Sequence, residues 1–576
     1  MDAQDLPLNG SQLGIWLADQ VAENKQAYVI AHCIEVRGAL QPELLSRAIQ
    51  RGLAEADTVT ARYVQAETGA RQQLHAQGAM DAVAAPLEFD LRRHADARQQ
   101  AEAWMRADMA EPFDLSSAQH CYRQALFQIG SDHWLWYQRF HHIMLDGFSF
   151  LALTRRIAAH YTALATNADA GPSPFSPVSV AVEEYEAYQR SDTLERDRAF
   201  WAGFCETLPP AASLSLRNAP PSGQVRSLAW ELSDAAALVL QRHALDAGLA
   251  VPDLLHGLLA AYLYRMTGQK RQAIGMPFMR RMGSRAINAL APMVNVLPLA
   301  VEMEGGMDWF AVSRTFRASA KAIRPHQRYE AEQIQRDAGL VGTGRKLYGA
   351  LVNFKMFDYR LELAGLQGTT HHLATGPVDD LEFNLQVGEG ISIELRADAA
   401  RYEDVELKRH AARLEGMLEQ WLAAPQRELQ ALLPATDEER NDIAQWSQGP
   451  AVAAPEVDRL SAMLARQAAA RPDAVALVCG GATLRFGELA GRVAQLARLL
   501  CEHGAGPGRV VAVAIPRSVE SVVAMLAVLG VRCSVPAAGP GLPGRPRCHD
   551  VRGCCACAVV VHRCGRNCPA GRHRAP

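Results

Sequence analysis

The chain has 576 residues, 49% hydrophobic and 21% charged, enough to bury sizeable cores and more than one ordinary domain requires. Its formal net charge is -3, and the basic residues before position 530 are interspersed with acidic ones, which excludes nucleic acid as an expected partner. The N-terminal MDAQDLPLNG has neither a basic n-region nor an apolar h-region, and the most apolar stretch (510–529) is interrupted by Pro516, Arg517 and Glu520, so no membrane span and a cytoplasmic location are expected.

In chain order, the first elements read as mixed α/β. A helix is predicted around Leu13, Ile15, Trp16 and Leu17, followed by a β-branched strand from about 28 to 36. Pro42 and Glu43 open a second helix that buries Leu44, Leu45, Ala48, Ile49 and Leu53. Residues 122–129 and 134–140 are strand-like runs, and Gly130, Ser131, Asp132 and His133 between them suit a hairpin connection. Phe150, Leu153, Ile157, Tyr161 and Leu164 then recur at spacings of three and four, one face of a helix. His141 and His142 are therefore expected on a strand-to-helix turn.

The stretch 166–177, rich in Pro, Ser, Gly and Asn, separates this lobe from a second α/β pattern that runs to about 433. The expected boundaries are an N-lobe at 1–170, a C-lobe at 171–433, a linker at 434–456 and an incomplete domain at 457–529.

From 530 to 576 the composition changes to eight Arg, no Lys, one acidic residue, seven Cys, seven Gly and six Pro, without a sustained helix or strand period. This aberrant tail is expected to be disordered, and a frameshift near codon 529 accounts for it. A zinc site drawn from Cys548, Cys554, Cys557, His562, Cys564 and Cys568 is the competing reading, but their spacing matches no paired-ligand pattern, so no metal is expected. The other five cysteines, well separated, read as reduced thiols.

The chemistry concentrates in FHHIMLDGFSF (140–150), which contains HHxxxDG at 141–147. A neutral imidazole near its own pKa accepts or guides a proton, and a glycine allows a tight turn without a Cβ clash. GFSFL (147–151) imitates a nucleophile elbow, but Leu151 occupies the final glycine position, so Ser149 reads as scaffold.

With SQLGIW (11–16), IGMPFMRR (274–281), APMVNVLPL (291–299) and HQRYEAEQIQRD (326–337) present in order, the chain resembles the condensation domains of nonribosomal peptide synthetases. FMRRMGS (278–284), VNFKMFDY (352–359) and LATGPVDDLE (373–382) are most similar to synthetases of catecholate siderophores. Residues 465–500 resemble the start of an adenylation (AMP-binding) domain, with its first core motif at 484–489.

The resemblance implies two chloramphenicol-acetyltransferase-like lobes, each with a parallel sheet, forming a V with the site in the channel between them, followed by an α/β adenylation fragment. It implies a catalytic set of His142, His141, Asp146 and Gly147. His142 points into the tunnel, either as a base or to position the amine. Asp146 makes a structural ion pair with Arg281, or with its neighbour Arg280. Asn353 and the segment 373–382 line or bridge the tunnel.

The implied reaction is amide formation between an acyl donor on an aryl carrier protein in trans, 2,3-dihydroxybenzoyl by resemblance, and a seryl acceptor on a peptidyl carrier protein. The 4'-phosphopantetheine arms arrive on those carriers, and this chain binds no cofactor covalently. Adenylation activity is not expected. The alternatives are a silent remnant that only binds a carrier and a CoA-dependent acyltransferase. An epimerisation domain normally follows a carrier domain, and a cyclisation domain replaces the first histidine with aspartate.

Overall fold

The computed structural model describes residues 4–22, 25–67, 69–75, 79–115, 120–355, 360–388, 390–450, 459–533 and 556–561. The chain divides into two compact units, 1–444 and 445–576.

The hairpin that delivers the histidines has strands Tyr122–Gly130 and His133–His141, closed by Ser131 and Asp132. Trp136 is buried within it, and its indole N–H donates to Gln124 Oε1 at 2.9 Å, so the largest side chain of the hairpin is also polar-satisfied. The sheet orders its strands Leu361–Leu363, Leu366–Thr375, Val29–Arg37, His133–His141, Tyr122–Gly130 and Leu87–Asp90. Every neighbouring pair is antiparallel except the last.

This corrects two expectations. The sheet is mainly antiparallel, because a two-residue turn can only return the chain beside itself. It also takes two strands from the 171–433 stretch, so the lobes are not divided at 170. Strand Leu366–Thr375 pairs with Val29–Arg37, a long-range register that no local pattern encodes.

Helix Gly147–Ala165 packs on this sheet through Phe150, Leu153, Ile157 and Tyr161, all buried. Helix Pro42–Ala54 begins with Pro at its first turn and crosses close to it: a Cβ on Gly52 would stand 2.4 Å from Ile157 Cγ1.

The second sheet runs Asn295–Glu302, Arg271–Phe278, Leu351–Lys355, Leu381–Val387, Ile391–Asp398 and Val225–Glu231. Leu351–Lys355 is parallel to both neighbours, and the remaining pairings are antiparallel. Trp309 and Trp421 stack in its core at 5.3 Å. The lobes are fastened by Thr58 Oγ1 donating to Leu290 O at 2.6 Å and by Asp57 Oδ2 accepting from Val178 N at 2.8 Å.

The expected linker contains helix Asp437–Ser447, tied back by Arg413 to Glu439 at 2.6 Å. Its DEERNDIAQW pattern lacks an apolar stripe, so the helix was hidden from periodicity and rests instead on charge pairing.

The second unit holds helices Leu460–Ala470, Phe486–Glu502 and Val519–Gly530, a hairpin of Val475–Cys479 with Ala482–Arg485, and strand Val510–Ala514. Glu488 accepts from the Arg485 backbone N–H at 3.0 Å, the reciprocal half of a helix cap. Inside the 530–576 stretch, Ala556–Val561 is a strand parallel to Val510–Ala514. The run ACAVVV is apolar and β-branched, a local strand signal that the surrounding Arg, Pro and Gly diluted. The rest of the tail beyond Cys533, with the cysteine side chains of the zinc reading, lies outside the described residues. Among the described residues no single helix is long and apolar enough to cross a membrane.

One core group sets an acid limit on stability. His256 lies buried in helix Val251–Thr267, its ring 4.9 Å from that of Phe316, and burial alone pushes its pKa down to about 4. A depressed folded pKa contributes stability that is complete above the unfolded value near 6.5 and is lost as pH falls toward 4. Between pH 7 and pH 5 this one group should cost about 2 kcal/mol. Urea unfolding of His256→Leu should therefore show a smaller loss over that interval than the native chain.

Candidate functional site

Strand alternation separates the two histidines. His141 closes its strand with its N–H on Cys121 O at 2.9 Å, and its side chain is fully buried. Its Nδ1 accepts from Ile143 N at 3.2 Å, which leaves the ring proton on Nε2, 3.5 Å from Asp19 Oδ1. Nδ1 is thus hydrogen-bonded inside the fold, while Nε2 faces Asp19 without a hydrogen bond.

His142 starts the turn, and its backbone N–H is held by Tyr28 O at 2.8 Å. His142 as a whole is half-buried, and its ring Nδ1 is enclosed by protein. Burial lowers its pKa below the ordinary 6.5 against the opposing pull of its own carbonyl and Asp146, so the imidazole is neutral at pH 7.

Facing that ring is Gly376. Its φ of 91° is in the left-handed region, and an added Cβ would stand 3.1 Å from His142 Cδ2 and 3.3 Å from Nε2. Gly376 is itself fixed, its N–H on Val29 O at 3.2 Å and its carbonyl on Arg396 Nη2 at 3.1 Å. Arg396 pairs with Glu382 at 2.7 Å, and Glu382 accepts from Asn353 Nδ2 at 3.1 Å. Asn353 thus stands at the far end of a buried network that sets the wall opposite His142. Gly376→Ala should lower turnover about ten- to a hundredfold by displacing the ring. Its backbone strain should cost about 1–3 kcal/mol in a thermal melt.

Asp146 caps helix Gly147–Ala165, accepting from Ser149 N at 2.9 Å. The adjacent arginines divide their work. Arg281 Nη2 lies 3.0 and 2.9 Å from the two Asp146 oxygens and also reaches Ser149 Oγ and Ala291 O, both at 2.8 Å. Arg280 instead pairs with Glu330 at 2.7 Å. Burial pushes the Asp146 carboxyl up, but Arg281 and Ser149 outweigh it and hold it below the usual carboxylate range. Asp146 stays ionised and braces the turn from behind.

Gly147 departs from the expected reason for glycine. Its φ is not positive, and a Cβ there would meet nothing within 4 Å, so the turn itself does not exclude a side chain. Glycine here keeps space open at the helix start.

Sequence reasoning gave no role to Tyr28 or Tyr348. Both are half-buried, whereas Glu332 is exposed. Burial, then Asp379, Asp19 and Glu332, pushes the Tyr28 hydroxyl up to about 12. Gly376 lies in the 373–382 segment expected to line or bridge the tunnel and Glu332 in the 326–337 motif, whereas nothing local announced Tyr348.

The turn joins a strand-borne histidine, a capped helix start and an arginine clamp. The condensation-domain profile matches residues 2–444, so the chain belongs to the condensation-domain family, whose members catalyse amide bond formation. An AMP-binding enzyme profile matches residues 464–575, so the condensation domain is followed by a partial AMP-binding domain.

Among curated relatives, enterobactin synthase component F of Escherichia coli O157:H7 is 38% identical over 539 residues, covering 92% of this chain and 41% of that protein. The dimodular nonribosomal peptide synthase of Bacillus subtilis (strain 168) is 32% identical over 536 residues, covering 92% of this chain and 22% of that one. The chain thus spans less than half the length of these relatives.

Among solved structures, a mutant starter condensation domain of rhizomide synthetase in complex with C8-CoA has a TM-score of 0.68 at 28% identity, covering 75% of this chain and 98% of that one. The first condensation domain of the calcium-dependent antibiotic synthetase, in complex with a substrate analogue, has a TM-score of 0.68 at 26% identity, covering 75% and 99%. The mixed α/β architecture of 1–444 is that of a condensation domain, with chloramphenicol-acetyltransferase-like lobes.

Proposed function

We propose that the chain joins a 2,3-dihydroxybenzoyl group, delivered by an aryl carrier protein in trans, to a seryl thioester on a peptidyl carrier protein, a step in catecholate siderophore assembly. The 38% identity to enterobactin synthase component F supports the substrates, and the observation carrying the chemistry is the neutral His142 imidazole in the channel opposite Gly376.

The seryl nitrogen attacks the donor thioester carbonyl, and His142 orients the amine and takes up or guides its proton as the C–N bond forms. Collapse of the tetrahedral adduct breaks the C–S bond, and the proton ends on the departing pantetheine thiolate. Phosphopantetheine supplies that leaving thiol from the carrier side. His141, locked between Ile143 and Asp19, and Asp146, locked to Arg281, hold the turn at a constant position. Gly147 leaves space beside the helix start for the incoming thioester arm.

The test is mass spectrometry of the full chain with dihydroxybenzoyl-loaded aryl carrier and a seryl-loaded carrier. Accumulation of the dihydroxybenzoyl-seryl amide is expected. Its absence, with amide formed from other acyl or aminoacyl pairs, would refute the substrate assignment.

A further inference from the structure

Arg281 grips the catalytic turn directly through Asp146, whereas the contacts of its neighbour Arg280 lie elsewhere. Arg280 Nε donates to Met293 O at 2.6 Å, Nη1 donates to Glu330 Oε1 at 2.7 Å, and Nη2 donates to Ser11 Oγ. Ser11 Oγ in turn donates to Val294 O at 3.0 Å. One guanidinium thus joins the start of the chain to two segments nearly three hundred residues away or more.

Ser11 lies in the first turn of helix Gly10–Val21. The Glu330 carboxylate rests on the same turn: a Cβ on Gly10 would stand 2.0 Å from Glu330 Oε1. A carboxylate suits the positive end of a helix, and Arg280 supplies the charge that lets the buried Glu330 stay ionised there.

The same helix carries two buried groups that meet the catalytic turn. Gln12 Nε2 donates to Ile143 O at 3.4 Å, and Asp19 Oδ1 stands 3.5 Å from His141 Nε2. A helix three turns long moves as a rod, so a displacement at Ser11 reaches Gln12 and Asp19 together.

The backbone at Arg280 adds an independent observation. Its φ is 54°, the left-handed region that glycine enters freely and any side chain enters at a cost. The side chain, and not the backbone conformation, is what an arginine brings to this position.

We propose that Arg280 is a positioning residue for amide formation: it fixes helix Gly10–Val21 and, through Gln12 and Asp19, the turn that presents His142. The two neighbouring arginines then hold one turn by two routes, Arg281 through Asp146 and Arg280 through the helix. This rests on the reading of His142 as the proton-handling group and is independent of the assigned substrates.

Hydrogen exchange of the full chain, followed by mass spectrometry, tests the link without turnover. Arg280→Gly keeps the left-handed backbone and removes only the side chain. Exchange at the His142, Ile143 and Met144 amides, bonded to Tyr28 O, His141 Nδ1 and His141 O, should quicken about tenfold, while helix Trp309–Ile323 in the other core stays unchanged. In the carrier assay kcat should fall about 10- to 100-fold with KM for both carriers unchanged. Arg280→Lys, which keeps a cation for Glu330, should recover most of both signals. Glu330→Gln, a milder break of the same link, should show the same pattern at smaller size.

Unchanged exchange at the turn in folded Arg280→Gly or Glu330→Gln, or exchange that quickens equally in helix Trp309–Ile323, would overturn the proposal. Faster exchange confined to the helix and the turn, in a chain whose native form makes no amide from the assigned pair, defeats only the assigned reaction.

Discussion

Substituting alanine for His142 is expected to lower amide formation by about 10²- to 10⁴-fold, the usual contribution of a positioned proton-transfer group. The fold should survive, because His142 is half-buried and its anchoring contact to Tyr28 is made by the backbone. Loss of turnover with an unchanged circular-dichroism melt is the result to look for. His141→Ala gives the contrast. That ring is fully buried between the Ile143 amide and Asp19, so its removal should lower the melting temperature along with the activity. If His142→Ala retained native turnover, the proton-handling role would fall, whatever the substrate.

The second large effect belongs to the clamp. Arg281→Ala leaves the buried Asp146 carboxylate without its cation and takes one donor each from the backbone carbonyls of Ile287, Ala289 and Ala291. Breaking a buried pair by removing one partner costs about 3–5 kcal/mol. Asp146→Ala should cost a similar amount, since Arg281 is then buried unpaired and the helix loses its N-cap. Replacing both partners with apolar residues should cost clearly less than the sum of the single changes, because neither charge is then stranded. Denaturant unfolding of the two single variants and the double variant measures the coupling. Strict additivity would show that the two groups do not act on each other.

Both effects arise at one turn, and the sequence announced that turn. HHxxxDG behind an alternating strand and before a 3.6-period helix placed His142 and Asp146 at a strand-to-helix junction, because strand alternation, N-capping and helical periodicity are local rules. The same locality made the hairpin and the helices at Pro42 and Gly147 legible.

Pairing between distant segments was not legible. The parallel-sheet expectation failed because sheet direction depends on which strands meet. The boundary at 170 failed because Leu366–Thr375 returns to pair with Val29–Arg37. Helix Asp437–Ser447 escaped notice because its stability rests on a pairing to Arg413 and not on an apolar stripe.

By itself, then, the sequence determined the chemistry-bearing turn, its residue types and the family they resemble, since each depends on neighbours within a few positions. The tertiary structure alone decided that Arg281 and not Arg280 meets Asp146. It also decided that Gly376 stands against the His142 ring. Contacts across more than a hundred residues depend on how two sheets are built and joined, and loop closure and strand register, not local periodicity, set them.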